Sequence, residues 1–163
     1  MKVSCVDVVG SAGSREIRHS APAAMLPGRD VLLAAFHGLP HDDHPVLAAA
    51  GELALLHQLR ARTPLSESER IDRRRAQLMR AIDRWVILAA PVPPAAADEH
   101  CETLGGLVDR LAQHCSRAFA APAGAPASVF RDEWLRLDNL ADSYERLIDD
   151  LWSGARSLPA NTY

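Results

Sequence analysis

The stretch SVFRDEWLRLDNLADSYERLIDDLWSG, Ser128 to Gly154, has one hydrophobic period and no other. Phe130, Trp134, Leu137, Ala141, Tyr144, Ile148 and Trp152 recur at spacings of three and four. That spacing puts them on one face of an α-helix, where such a stripe is read as core packing and not as an aromatic ligand platform. The opposite face is acidic: Asp132, Glu133, Asp138, Asp142, Glu145, Asp149 and Asp150. A long helix with one apolar face needs other helices to cover it, so the rest of the chain is searched for the same period.

Working back from Ser128, Thr103 caps a helix that fades at Ala121-Pro122. Ser66, with Glu69 three residues later as a capping box, opens a helix that runs to about Ala90 and is stopped by Pro91, Pro93 and Pro94. Asp43 reads as the N-cap of the helix before it, with Pro45 in its first turn, Arg62 near its end and Pro64 beyond. Asp30 to Phe36 is a short helix between the turns Pro27-Gly28 and Gly38-Leu39-Pro40. The expected fold is all-α: a single helical bundle of four main helices plus a short N-terminal helix. Residues 28–154 form the bundle domain, 1–27 a flexible or docked N-terminal segment and 155–163 a C-terminal tail. Val3 to Val9 has strand composition without a second strand to pair with.

The length of 163 residues is enough for one real core, and 48% hydrophobic with 24% charged residues is ordinary for a globular chain. Aromatics are only 5%, so the core is built mostly from Leu, Val, Ile and Ala. A net charge of −3 argues against a nucleic-acid partner. Arg70, Arg73, Arg74, Arg80 and Arg84 make the third helix the basic counterpart of the acidic last one. No aromatics interleave with them, so the charges are expected to complement each other across the bundle or across a dimer interface. Cys5, Cys101 and Cys115 form no CxxC pair and no disulfide framework, which fits a reducing, cytoplasmic setting. No apolar run approaches the ~20 residues of a membrane span, so no membrane partner is expected.

The candidate site residues are polar groups where a plain bundle needs none. On the third helix Ile71, Leu78, Ile82 and Trp85 form the apolar stripe, and Arg75 falls inside it. A buried guanidinium stays charged, so Arg75 must meet a carboxylate or an anionic ligand. Glu102, Thr103, Gly105 and Gly106 open the next helix, whose apolar face is Leu104, Leu107, Val108, Leu111 and Cys115 and from which Asp109 points away. Adjacent glycines weaken a helix and make sense where something approaches the backbone closely. Free N–H groups after Thr103 would suit an anion, and the plainer alternative is a tightly packed helix start with Glu102 and Asp109 paired to arginines. His57 shares a stripe with Val46, Ala50 and Leu53. His37, His41, Asp42, Asp43 and His44 resemble a metal cluster in composition, yet they span a helix end and a loop without cysteine. No metal and no cofactor is expected.

Ile71-Asp72, Arg75 and Ile82-Asp83, followed by Glu102-Thr103, Gly105 and Asp109-Arg110-Leu111, resemble the bacterial domain-of-unknown-function family 4254. Leu55 and His57 match the family's upstream Leu-x-His, whereas Leu59 and Arg60 stand where it often has acidic residues. The resemblance implies an α-helical fold and treats His57, Arg75, Glu102 and Asp109 as one constellation. The expected function is binding or transformation of a small anionic molecule in a polar pocket between helices. Arg75, Thr103, Gly105 and Gly106 would be the ligand contacts, with His57, Glu102 and Asp109 as catalytic candidates. The alternative is a non-enzymatic interaction protein, a homodimer or partner-binding bundle with structural charge pairs.

Overall fold

The computed structural model describes residues 25–120 and 127–159. The Val3–Val9 stretch and the rest of the segment up to residue 24 lie outside the described residues. Five helices follow one another: α1 (Arg29–Phe36), α2 (Pro45–Arg62), α3 (Glu69–Ala89), α4 (Leu104–Phe119) and α5 (Ala127–Ser153). The all-α bundle expected from the periodicity is present. Two short strands supplement it: β1 (Asp98–Glu99) pairs in parallel with β2 (Arg156–Ser157). Gly154, at φ 75°, provides the left-handed turn that ends α5 and leads into β2. The C-terminal segment is therefore tied to the loop after α3 up to Ser157, and Leu158 packs on the core.

Helix α4 is the centre. It packs against α1, α2, α3 and α5, and the backbones of α3 and α5 make no close approach. Leu104, Leu107, Val108, Leu111 and Ala112 are all essentially closed to solvent on it. Against them lie Leu32 and Ala35 of α1, Val46, Ala50 and Leu53 of α2, Ile82 and Val86 of α3, and Leu137, Ala141 and Tyr144 of α5. Fully burying a Leu, Ile or Val side chain contributes about 1.5–3 kcal/mol, so this shared core is the main stabilising term. The chain before α1 also docks: Leu26 is buried, and the Tyr144 hydroxyl donates to the Pro27 carbonyl at 2.8 Å.

Four local expectations need correction. The α5 stripe does not stay buried over its whole length. Leu137, Ala141, Tyr144, Leu147 and Leu151 form its buried face, while Phe130 and Trp134 are 45% and 37% exposed, Trp134 meeting α4 at Phe119 with ring centroids 5.2 Å apart. The N-cap of α2 is His44, not Asp43. Pro45 has no N–H, so the first donor is Val46, and it lies within reach of the residue just before the proline. The capping box of Ser66 and Glu69 does not form, because residues 65–67 make a 3-10 turn and Ser68 Oγ donates back to the Leu65 carbonyl at 2.8 Å. Finally, the arginines of α3 do not meet the acids of α5 across the bundle, since α4 stands between them. Asp138 and Asp142 instead hold Arg29, Glu133 meets His114 and Arg136, and Asp150 meets Arg156.

His44 makes the fold sensitive to acid. Its Nδ1 accepts from the Val46 N–H at 3.2 Å, which leaves the ring proton on Nε2, facing the Met25 carbonyl at 3.2 Å. Trp85 packs edge-on at 4.7 Å. Burial lowers the pKa of His44 below its ordinary 6.5, with the Met25 carbonyl opposing that shift and His41 adding to it. A histidine with a depressed folded pKa contributes fully above its unfolded value, and stability is lost as pH falls below 6.5 toward the folded value. Melting temperature should therefore decline between pH 7.5 and 5. His44→Asn, which keeps a capping acceptor without a titrating ring, should flatten the decline. An unchanged slope in that variant would rule out His44 as its source.

Candidate functional site

Three of the sequence-derived residues converge at one point. His57 on α2, Arg75 on α3 and Asp109 on α4 form a chain of hydrogen bonds across the three helices. Arg75 presents its fork to Asp109, with Nε to Oδ1 at 3.1 Å and Nη2 to Oδ2 at 2.6 Å. His57 Nε2 lies 2.9 Å from Asp109 Oδ1. A third contact joins Arg75 Nη1 to Asp72 Oδ1 at 3.1 Å, and Asp72 also lies 3.4 Å from Arg60. His57 and Asp109 are buried, at 6% and 7% exposure.

The placement of Asp109 corrects the expectation that it points away from the core. The buried arc of α4 is wider than its large apolar residues reveal, because Gly105, Ala112 and Ser116 extend it around the helix toward α2 and α3. Asp109 falls on that small-residue side. Desolvation by itself pushes the Asp109 carboxyl up, but the hydrogen bonds and charges of His57 and Arg75 outweigh it and hold the pKa below the ordinary carboxylate value. Arg75 is raised in turn, first by its hydrogen bond to Asp109. The anion that Arg75 meets is thus the protein's own carboxylate.

The helix start at Glu102–Gly106 is separate from this trio. The Thr103 hydroxyl accepts from the Gly106 N–H at 3.1 Å, and the Gly105 N–H donates to Asp83 Oδ1 at 2.7 Å. Both glycine N–H groups are engaged inside the protein, so the expected ligand contacts at Thr103, Gly105 and Gly106 serve as an internal cap. Asp83, 4% exposed on α3, is the anion there. A Cβ on Gly105 would stand 2.2 Å from the Met79 carbonyl oxygen, so the close approach that the paired glycines imply comes from the α3 backbone. Glu102 turns outward to Arg110 at 2.8 Å and does not join His57. Sequence reasoning passed over Asp83 as a cap. The available signal was a carboxylate beside Ile82, on the α3 face that packs against α4.

His57 has a second nitrogen. Asp109 in its ionised form only accepts hydrogen bonds, so the Nε2 facing it carries the ring proton and Nδ1 keeps its lone pair when the ring is singly protonated. Nδ1 has no hydrogen-bond partner among the described residues. No fully buried side-chain nitrogen or oxygen among them lacks a partner, so this atom reaches solvent. His57 also lines a pocket of about 260 Å³ between α2 and α4, together with Gln58, Arg60, Arg62, Gln113 and Arg117. None of those wall residues except Arg60 was singled out from sequence, because each lies on a polar helix face that reads as solvated surface.

The histidines before α2 do not converge. His41 Nδ1 lies 2.8 Å from the Asp42 carbonyl, His44 turns inward, and His37 stacks edge-on with Phe119 at 4.2 Å, its Nε2 3.7 Å from Cys115 Sγ. Burial pushes the Cys115 thiol up to about 11, so it is not a reactive thiolate. Among the described residues no group of three or more His, Cys, Asp or Glu side chains is gathered as metal ligands would be. No helix among them is long and apolar enough to cross a membrane. No protein-family model, no curated protein and no solved structure matches the chain.

Proposed function

We propose that this protein binds a small anionic molecule in the pocket between α2 and α4, with His57 as the proton acceptor of the site. One observation carries the reading: a histidine whose Nε2 is held by a buried carboxylate lines a pocket walled by arginines. Asp109 fixes the ring's tautomer and would stabilise the imidazolium formed on proton uptake, as a carboxylate does behind a general base. Arg75 holds Asp109 in place from behind and is a positioning residue. Arg62 and Arg117, which have no ion pair among the described residues, supply the positive charge for the ligand. Kinship with domain-of-unknown-function family 4254, on the residues quoted above, is part of the same proposal.

The test is a thermal-shift panel of inorganic phosphate, organic acids and phosphorylated sugars. A ligand at a hundred times its dissociation constant stabilises by about 2.7 kcal/mol, a rise of roughly 5–10 °C for a chain of this size. The shift should vanish in Arg62→Glu/Arg117→Glu, and the bound anion should move the His57 Nδ1 resonance in nitrogen-15 spectra. Silence across the panel, or a shift indifferent to both arginines, would sink the reading.

A second reading has its own observation. Ile87, Leu88 and Val92 are 60%, 81% and 93% exposed at the end of α3, next to Arg80 and Arg84. An apolar tip beside a basic row fits an interaction surface, such as a homodimer contact. Sedimentation of wild type against Leu88→Asp separates this reading from the first.

A further inference from the structure

We infer that the anion has an apolar body, so that the site takes an amphiphilic molecule with an anionic head. This rests on the pocket reading above and names its ligand class. A second, larger cavity of about 610 Å³ lies against the first, bounded by the α1–α2 turn, α2 and α4. The two share Gln58 and Ser116 in their walls, so they adjoin along α2 and α4 as two halves of the proposed site. The halves differ in chemistry. The His57 half presents arginines, whereas the second half presents Leu39, Leu55 and Phe119, which are 53%, 64% and 56% exposed.

Those three side chains give an apolar chain somewhere to lie. Phe119 is held edge-on between His37 and Trp134, with ring centroids 4.2 Å and 5.2 Å away, so its face is fixed. The floor is kept low by Ala48 and Gly51, and the Ala35 carbonyl lies 3.2 Å from where a Gly51 Cβ would stand. The carboxylate on this wall, Glu52, is already engaged by Arg74 at 2.5 Å and 2.7 Å, which limits its repulsion of an anion. The cavity lies within the ~300–1,000 Å³ range of small-molecule sites. A compact anion such as phosphate would leave this half unused, and a neutral apolar molecule would leave the arginines unused.

Calorimetric titration of the whole chain with butyrate, octanoate, 1-octanol and inorganic phosphate tests this. A fully buried methylene multiplies affinity roughly fourfold, and one half covered in an open groove roughly twofold. Octanoate, with four more methylenes, should bind about sixteenfold more tightly than butyrate, and more tightly than octanol, which has no charge for the arginines. Leu55→Asp, at an exposed position, should remove most of the octanoate preference and leave butyrate binding in place, and Phe119→Ser should do the same from α4. Equal affinity for butyrate and octanoate overturns the apolar half and leaves the anion pocket standing. Equal affinity for octanol and octanoate, or octanoate binding untouched by either variant, overturns the inference as well. No binding of butyrate, octanoate or phosphate overturns both this inference and the function it rests on.

Discussion

Replacing Gly105 by alanine should unfold this protein at a markedly lower temperature, while the same change at Gly106 should be nearly silent. At Gly105 the new methyl would meet the Met79 carbonyl oxygen, carbonyl carbon and Cα at 2.2, 2.7 and 2.8 Å. All three are backbone atoms of α3, so no side chain can swing aside, and the start of α4 must move by about an ångström. That displacement loosens the Gly105 N–H bond to Asp83 and opens the packing of Leu104, which is 0% exposed. The expected cost is about 3 kcal/mol or more, a fall of roughly 6–12 °C for a chain of this length. At Gly106 the nearest atom is Glu102 Cγ at 3.2 Å, on a side chain that can yield. The gain in helix propensity, up to about 1 kcal/mol, offsets that adjustment. Equal tolerance at both positions in a thermal melt would refute the close α3–α4 contact.

The second large effect should come from Asp109. Asp109→Leu leaves Arg75 and His57 facing a buried apolar side chain, and losing one partner of a buried ion pair costs about 3–5 kcal/mol. Urea unfolding should show the midpoint shift without a change of slope. Adding Arg75→Met should recover about half of the loss, because the guanidinium left with Asp72 as its remaining carboxylate goes while the stranded His57 Nε2–H remains. Additive losses in the double variant would mean that Arg75 and Asp109 do not act as a pair. Acid should reproduce part of the effect. Because the Asp109 pKa is held below its ordinary 3.8, the stability it contributes is present above that value and lost as pH falls through the depressed one.

These two changes also separate what was legible in the sequence from what was not. The bundle was legible because apolar period is a local property: α3, α4 and α5 each carry their own stripe, and Pro64, Pro91 and Gly154 mark ends within a residue or two of the observed ones. The unusual status of Arg75 was legible for the same reason, as a charge inside an apolar face. Its partner was not. Glu102 and Asp109 were comparable carboxylates on paper, and the packing of α4 against α2 and α3 brought Asp109 to Arg75, beside its own-helix contact with Asp72. Glu102 looked equivalent until its outward turn to Arg110 appeared.

By itself the sequence determined an all-α chain, the order and approximate limits of its helices, and an arginine that must find an anion. Each follows from forces acting within a few turns of helix. Tertiary structure alone decided that Asp109 joins Asp72 on that arginine, that Asp83 caps the glycine turn and that His57 lines a pocket with Arg62 and Arg117. It also kept α3 and α5 apart. Those outcomes depend on which helix faces meet, and the meeting is set by small residues such as Gly105, Ala112 and Ser116. Such residues contribute little to a hydrophobic period, yet they determine how closely two backbones can approach.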